Sequence, residues 1–215
     1  MARPKKAATS AAPEFAFFNV LTRFVQQQRK NLRRDHYSLL AKKILDFNDP
    51  AKGDNFLRLP QFEALEMYVF LKEAAGNAPL HHVFADWHQR QGLFSADAPV
   101  LTASGAVQSN FFAELDLTQP EHYQAIFNQL AARSRLYPNY VYALTMGTGK
   151  TLLMAVCLFY DFLFAHHHPD DPRGCLNALV FAPDKTVLHS LREIQTFPLD
   201  KIIPEPWLFG SSRYS

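Results

Sequence analysis

The sequence lacks several features that would mark a secreted or membrane-embedded protein. It has only two cysteines, Cys157 and Cys175, in 215 residues, which is too few for a disulfide framework. No apolar run reaches the ~18 residues that a membrane span needs, and no charged-then-apolar leader precedes a small-residue cleavage site. We therefore expect a protein of the reducing cytoplasm without a membrane partner.

The net charge is also small, +2, but it is unevenly distributed. Residues 1–50 hold ten Lys and Arg against four Asp and Glu, whereas the remaining 165 residues hold twelve against sixteen. The first part thus carries +6 and the rest −4, which suggests an anionic partner for the N-terminal part. The stretch "RKNLRRDH" predicts contacts with nucleic-acid phosphates through Arg29, Lys30, Arg33 and Arg34. A solvated helix face is the alternative.

Helical periodicity dominates the first 139 residues. We expect a disordered Ala/Pro/Lys-rich tail over residues 1–14 and a helical N-terminal extension over 15–54. Residues 55–139 should hold a helix that starts at Pro60, followed by a helical insertion. Within that insertion, Thr118 and Glu121 form a capping-box pattern at the start of a helix.

The pattern changes over residues 140–215. Two short apolar segments, Tyr140–Leu144 and Asn177–Pro183, are typical of buried parallel strands. Each precedes a helix: the apolar "KTLLMAVCLFYDFLFA" follows the first, and a helix capped by Asp184 follows the second. Strand, loop, helix, strand and helix in this order predict an α/β fold with an open parallel sheet.

The loop "MGTGKT" between the first strand and its helix is suited to holding a phosphate. Gly147 and Gly149, on either side of Thr148, allow backbone N–H groups to turn inward, and the following helix contributes a positive N-terminus. Lys150 can reach the terminal phosphates and the Thr151 hydroxyl can bind Mg²⁺. The loop therefore predicts ATP and Mg²⁺ as ligands. A glycine-rich turn with a chance lysine is the alternative.

"MGTGKT" after an apolar strand resembles motif I of superfamily-two helicases and translocases. It is most similar to the motor subunit of type III restriction enzymes and to the DEAD/DEAH-box helicases. Leu144 stands where the general P-loop pattern has glycine, which argues against kinases and transporters of the common kind. The resemblance implies an incomplete RecA-like ATPase lobe over residues 140–215 of a DNA-translocating hydrolase. It also implies duplex DNA, and a modification subunit as a candidate, among the partners.

Two further segments carry the resemblance. "LRLPQFEAL" resembles the segment of these motors whose glutamine reads adenine, so Gln61 would contact adenine with Arg58 nearby. "ALVFAPDKTVLHSL" is similar to motif Ia, in which Lys185 and Thr186 would contact the nucleic-acid backbone. Gln61 precedes Gly147 by 86 positions. Either the residues between them form an insertion, or the match at Gln61 is accidental.

One element of the family pattern is missing. These motors hold their metal with a D-E-x-x box after a third strand, and no such box follows Phe197. Asp170 and Asp171 lie in a predicted turn and are not assigned to that role. We therefore expect an N-terminal fragment that binds ATP and DNA but is inactive as a hydrolase alone. The alternative is a truncated, non-catalytic nucleotide- or DNA-binding module. An unrelated P-loop enzyme is a third, less favoured, reading.

Overall fold

A computed structural model describes residues 13–53, 56–95, 119–142, 147–181, 192, 194 and 198–204. This part of the chain contains six α-helices, and α3 continues into a π-helical turn, Phe70–Ala74. Short 3₁₀ turns lie at Pro50–Lys52, Gly92–Phe94 and Leu199–Lys201. The α-helices are α1 (Pro13–Asp35), α2 (Leu39–Phe47), α3 (Leu59–Val69), α4 (Leu80–Gln89), α5 (Pro120–Ala132) and α6 (Lys150–His167).

The predicted α/β fold with a RecA-like parallel sheet is wrong for the residues that the structure describes, because none of them lies in a β-strand. The described residues of the two predicted strands are irregular, and Val141, Leu179 and Phe181 are 92%, 79% and 84% exposed. Apolar, β-branched composition permits a strand, but a strand also needs a neighbouring backbone to bond with. The rest of both segments lies outside the described residues, as does the helix predicted after Asp184 except for Arg192, which is helical, and Ile194, which is in a 3₁₀ conformation.

Helices are present where the sequence predicted them before Phe47 and after the glycine loop. The helical region from Phe15 to Phe47 is present as α1 and α2, and α2 starts where the Ser38 hydroxyl accepts a hydrogen bond from Ala41 N at 3.1 Å. The apolar helix after the glycine loop is α6. The cap of α5 is Gln119 and not the predicted Thr118, which itself lies outside the described residues. A bilayer-spanning helix would need a longer apolar stretch than any described helix offers.

The chain divides into two compact units, each built from separated parts of the sequence. The first unit combines the chain up to Gln28 with Ala78–Asn139, a division that differs from the consecutive ranges expected above. Its core is aromatic. Phe17 meets Phe84 edge-to-face, with ring centroids 4.8 Å apart, and Phe84 stacks on Tyr123 at 5.2 Å.

The second unit combines Arg29–Asn77 with the chain from Tyr140 onward, and it contains α2, α3 and α6. Its apolar core includes the fully buried side chains of Ile44, Leu65 and Tyr160. Removing such side chains from water contributes roughly 25 cal/mol per Å² of apolar surface. α3 packs on α6, and this contact sets the position of the glycine loop at the start of α6.

Candidate nucleotide-binding site

The glycine loop leads directly into the N-terminus of an 18-residue helix. Gly147 and Gly149 have φ angles of 76° and 74°, the left-handed region that glycine adopts without steric penalty. Gly149 is the N-cap of α6, and its carbonyl accepts the first intrahelical bond, from Leu153 N at 3.1 Å. The first N–H groups of a helix have no intrahelical acceptor, so this end of α6 favours an anion.

The side chains of the loop fit phosphate chemistry. Lys150 and Thr151 are the first two residues of α6; Lys150 is exposed, and Thr151 and Thr148 are half-buried. A Cβ placed on Gly147 would meet no atom within 4 Å, so the backbone is open to an incoming group there. The Thr151 hydroxyl suits the predicted Mg²⁺ ligand. No group of three or more His, Cys, Asp and Glu among the described residues could hold a metal alone.

Gln61 lies against this loop although it is 88 positions from Gly149. Its amide nitrogen Nε2 donates to the Gly149 carbonyl at 3.3 Å, and its Oε1 accepts from Arg58 N at 2.8 Å. The structure thus brings together the glutamine and the glycine loop, the two segments that carry most of the resemblance. Gln61 is 3% exposed; an adenine edge could use only the second N–H of Nε2 or the second lone pair of Oε1.

Contacts along α3 hold Gln61 in place. The helix begins at Leu59, with Pro60 in its first turn and Arg58, an exposed residue, at its N-cap. Farther along, the Tyr68 hydroxyl donates to Asp161 of α6 at 2.7 Å, and Lys72 Nζ donates to the other carboxylate oxygen at 2.7 Å. Sequence reasoning missed this network. Its signal was Asp161, a charged residue within the apolar α6, because a buried carboxylate requires a partner.

A cavity of about 310 Å³ adjoins the start of α6. Tyr68, Tyr142, Lys150 and Cys157 are among its lining residues. Burial raises the pKa of the Cys157 thiol to about 12, with the Asp161 carboxylate adding to the effect, so this thiol is largely protonated at neutral pH. A buried, protonated thiol is a poor nucleophile. The cavity itself could not be found from sequence, because three separate segments form it.

Two of the predicted nucleic-acid contacts are engaged within the protein. Arg29 makes two hydrogen bonds of 2.6 Å to the carboxylate of Glu66, which is 2% exposed. The hydrogen bond to Glu66 raises the pKa of Arg29. Arg33 pairs with Asp46 at 2.6 Å. Acidic residues of α2 and α3 therefore neutralise both arginines.

The other predicted contacts differ in their surroundings. Lys30 is exposed, and Arg34 forms an exposed ion pair with its neighbour Asp35 at 2.8 Å. Lys185 and Thr186 lie outside the described residues. Only Lys30 and Arg34, of the six residues predicted to bind nucleic acid, are both described and on the solvent side.

In the turn after α6, Asp171 and Arg173 form an ion pair that also contacts the π-helical turn. Asp171 accepts from Arg173 Nη2 at 2.6 Å, and this bond holds the pKa of Asp171 at about 2. The same guanidinium donates through Nη1 to the carbonyls of Lys72 and Glu73 at 3.2 and 3.1 Å. Asp171 thus fixes an arginine that ties the turn to the end of α3.

Comparisons with known proteins found no protein family, no curated protein and no solved structure that matches this chain.

Proposed function

We propose that the chain binds ATP with Mg²⁺ through Gly147, Thr148, Gly149, Lys150 and Thr151, as part of a nucleic-acid-stimulated ATPase of the helicase and translocase type. The observation that carries the proposal is the hydrogen bond from Gln61 to the Gly149 carbonyl. Such a contact is expected if Gln61 and the glycine loop belong to one nucleotide site.

The roles of the individual groups follow from their chemistry. The first N–H groups of α6 would bind the inner phosphates, and Lys150 the outer ones. Mg²⁺ would lie between the phosphates and the Thr151 hydroxyl, where it neutralises phosphate charge. Gln61 would keep the loop in its binding geometry, since its amide holds the carbonyl that starts α6.

A non-catalytic nucleotide-binding module is the second candidate, and the surroundings of Asp161 favour it. Phosphoryl transfer to water needs a carboxylate free to hold the metal. Asp161 is the acidic residue of α6, and both of its oxygens already accept hydrogen bonds, from Tyr68 and Lys72. Binding is therefore better supported than hydrolysis.

The proposal is tested by calorimetric titration with a non-hydrolysable ATP analogue and Mg²⁺. We expect measurable binding by the parent chain and at least tenfold weaker binding by Lys150→Ala, since a hydrogen bond to a charged group contributes about 1.5–3 kcal/mol. Lys43→Ala, which removes an exposed lysine of α2, serves as the matched control and should bind like the parent. Equal affinity in the parent and in Lys150→Ala, or no binding by the parent, would contradict the proposal.

A further inference from the structure

We propose that the cavity beside α6 holds the base of the nucleotide whose phosphates bind at the glycine loop. This inference rests on the proposed function and adds a second contact region for the same ligand. The cavity lies in the second unit and has a volume of about 310 Å³. Small-molecule sites begin at roughly 300 Å³, so the cavity suits a base better than a complete nucleotide.

The cavity runs along α6 from the end that carries the glycine loop. Its lining residues on α6 recur at helical spacing and so share one face: Lys150, Leu153, Met154, Cys157, Leu158 and Asp161. Lys150 is the first residue of α6, and the distance along the helix axis from it to Asp161 is about 16 Å. A ligand whose phosphates lie at the first turn of α6 therefore has its other end within reach of this face.

The walls of the cavity are suited to an aromatic base. Tyr68 and Tyr142 line it, with ring centroids 6.4 Å apart at an interplanar angle of 60°. The hydrogen bond of 2.7 Å from Tyr68 to Asp161 fixes the first of these rings. Bases stack on tyrosine rings, and the apolar side chains of Leu153 and Met154 cover the remaining surface of the base.

The hydroxyl of Tyr142 is suited to recognise a ring nitrogen. It is buried and has no hydrogen-bond partner within the described part of the chain. Burial raises the pKa of Tyr142, and Cys157 and Asp161, which also line the cavity, add to this effect. The hydroxyl therefore keeps its proton and lies near the cavity. A ring nitrogen that accepts from it would satisfy a buried donor that is otherwise unpaired.

Gln61 has little capacity left to bind the base. Its amide already bonds to the Gly149 carbonyl and to Arg58 N, and its side chain is 3% exposed. The cavity offers two aromatic rings and an unpaired donor in the same unit. The base therefore lies in the cavity, and Gln61 supports the loop.

A base-free ligand separates the two parts of the site. Ribose 5′-(β,γ-imido)triphosphate has the sugar and the phosphates of the ATP analogue AMP-PNP but no base, and calorimetric titration with Mg²⁺ compares the two. We expect AMP-PNP to bind the parent chain at least fivefold more tightly, the least that stacking of one base contributes. Equal affinities would overturn this inference and leave the phosphate site intact. Binding of neither ligand would overturn the inference together with the proposed function.

Tyr142→Phe tests the hydrogen bond to the base. AMP-PNP should bind this variant about fivefold more weakly, the factor that one neutral hydrogen bond contributes, while the base-free ligand binds as in the parent. Tyr140→Phe is the matched control, because it also removes a buried hydroxyl without a described partner. Tyr140 is not one of the described residues that line the cavity, so this change should affect neither ligand. An unchanged affinity for AMP-PNP in Tyr142→Phe, or an equal loss in Tyr140→Phe, would contradict the inference.

A larger side chain in the cavity tests the position of the base. Leu158→Trp places an indole among the lining residues and should lower the affinity for AMP-PNP to that of the base-free ligand. Leu163→Trp makes the same change at another half-buried position of α6 and should preserve the difference between the two ligands. If Leu158→Trp binds AMP-PNP as tightly as the parent does, the base lies elsewhere.

Discussion

Two separate features of the structure disfavour a side chain at position 149. The residue has a φ of 74°, which is strained for any residue with a Cβ. A Cβ built there would also lie 2.3 Å from Nε2 of Gln61. Gly147, with a φ of 76°, shares the first reason but not the second, because no atom lies within 4 Å of its Cβ position. The two glycines of one loop therefore allow backbone strain and side-chain contact to be measured separately.

We predict that Gly149→Ala destabilises the chain more than Gly147→Ala. Each substitution should cost about 1–3 kcal/mol for the left-handed backbone. Gly149→Ala should add about 1 kcal/mol, because the Gln61 amide must move and give up a hydrogen bond. Urea denaturation of both variants measures the difference.

A Gln61→Ala background supplies the control for this prediction. Without the glutamine amide nothing obstructs the new Cβ, so the excess cost of Gly149→Ala over Gly147→Ala should disappear. If the excess persists in that background, Gln61 is not in contact with the loop in solution.

For the glycine loop, the sequence predicted the backbone conformation of the two glycines but not the contacts around them. The requirement for glycine at positions 147 and 149 follows from the loop pattern alone. The contact between Gln61 and Gly149 does not, because 88 positions separate the two residues and only the packing of α3 on α6 joins them. The cavity hydroxyl of Tyr142 could not be predicted either, since its burial depends on the same packing.

The π-helical turn at the end of α3 makes several buried polar contacts. It places two consecutive charged residues, Lys72 and Glu73, in the interior at 4% and 8% exposure. Lys72 pairs with Asp161, and Glu73 accepts hydrogen bonds from the Ser38 hydroxyl and from Tyr160. One wide turn thus joins α3 to α2 and α6. Buried charges persist only when paired in this way.

The turn after α6 makes the attachment of α3 sensitive to acid. Asp171 has a pKa of about 2, below the ordinary value of 3.8, because it accepts hydrogen bonds from Arg173. A carboxylate whose pKa is lowered by folding stabilises the protein fully above its unfolded pKa and loses that effect as pH falls through the folded pKa. The window is therefore pH 4 down to about 2.

We predict that Asp171→Asn lowers the free energy of unfolding at pH 6 and that this difference shrinks as the pH falls from 4 toward 2. Urea denaturation across that range measures the difference between parent and variant. Asp170→Asn, which changes the exposed neighbour, is the matched control. A difference that stays constant from pH 6 to 2.5 would show that the pair with Arg173 does not form.

Within the described residues, the sequence predicted helices more accurately than strands. An amphipathic or apolar repeat at helical spacing is sufficient for a helix, because its backbone bonds lie within the segment. α6 accordingly begins at Lys150, as the glycine loop predicts. A strand needs a neighbouring strand for its backbone hydrogen bonds. The described residues of the two predicted strands are not paired with one. Apolar composition at Val141 and Phe181 therefore did not fix their structure.

At the scale of the whole molecule, fewer positive charges of the first 50 residues are available to bind nucleic acid than the sequence suggests. The sequence predicted a cluster of four cations at Arg29, Lys30, Arg33 and Arg34. Arg29 and Arg33 instead bond to Glu66 and Asp46. Removing Arg29 would take both hydrogen bonds of 2.6 Å from the buried Glu66 carboxylate, so a loss of DNA binding in such a variant could not be separated from a loss of stability.

We therefore predict that Lys30 and Arg34 provide the phosphate contacts of this region. Two contacts on duplex DNA correspond to a log–log salt slope of about −1.8, or roughly a tenfold loss of affinity between 50 and 200 mM salt. Lys30→Ala with Arg34→Ala should remove that salt-dependent component without changing the melting temperature, because both side chains are exposed. Fluorescence anisotropy with a labelled duplex measures affinity and slope.

The control, Lys43→Ala with Arg135→Ala, removes the same charge from other exposed positions. If both double variants reduce affinity equally, net charge governs binding and no local surface does. If only Lys185→Ala reduces it, the motif Ia-like segment is the nucleic-acid surface.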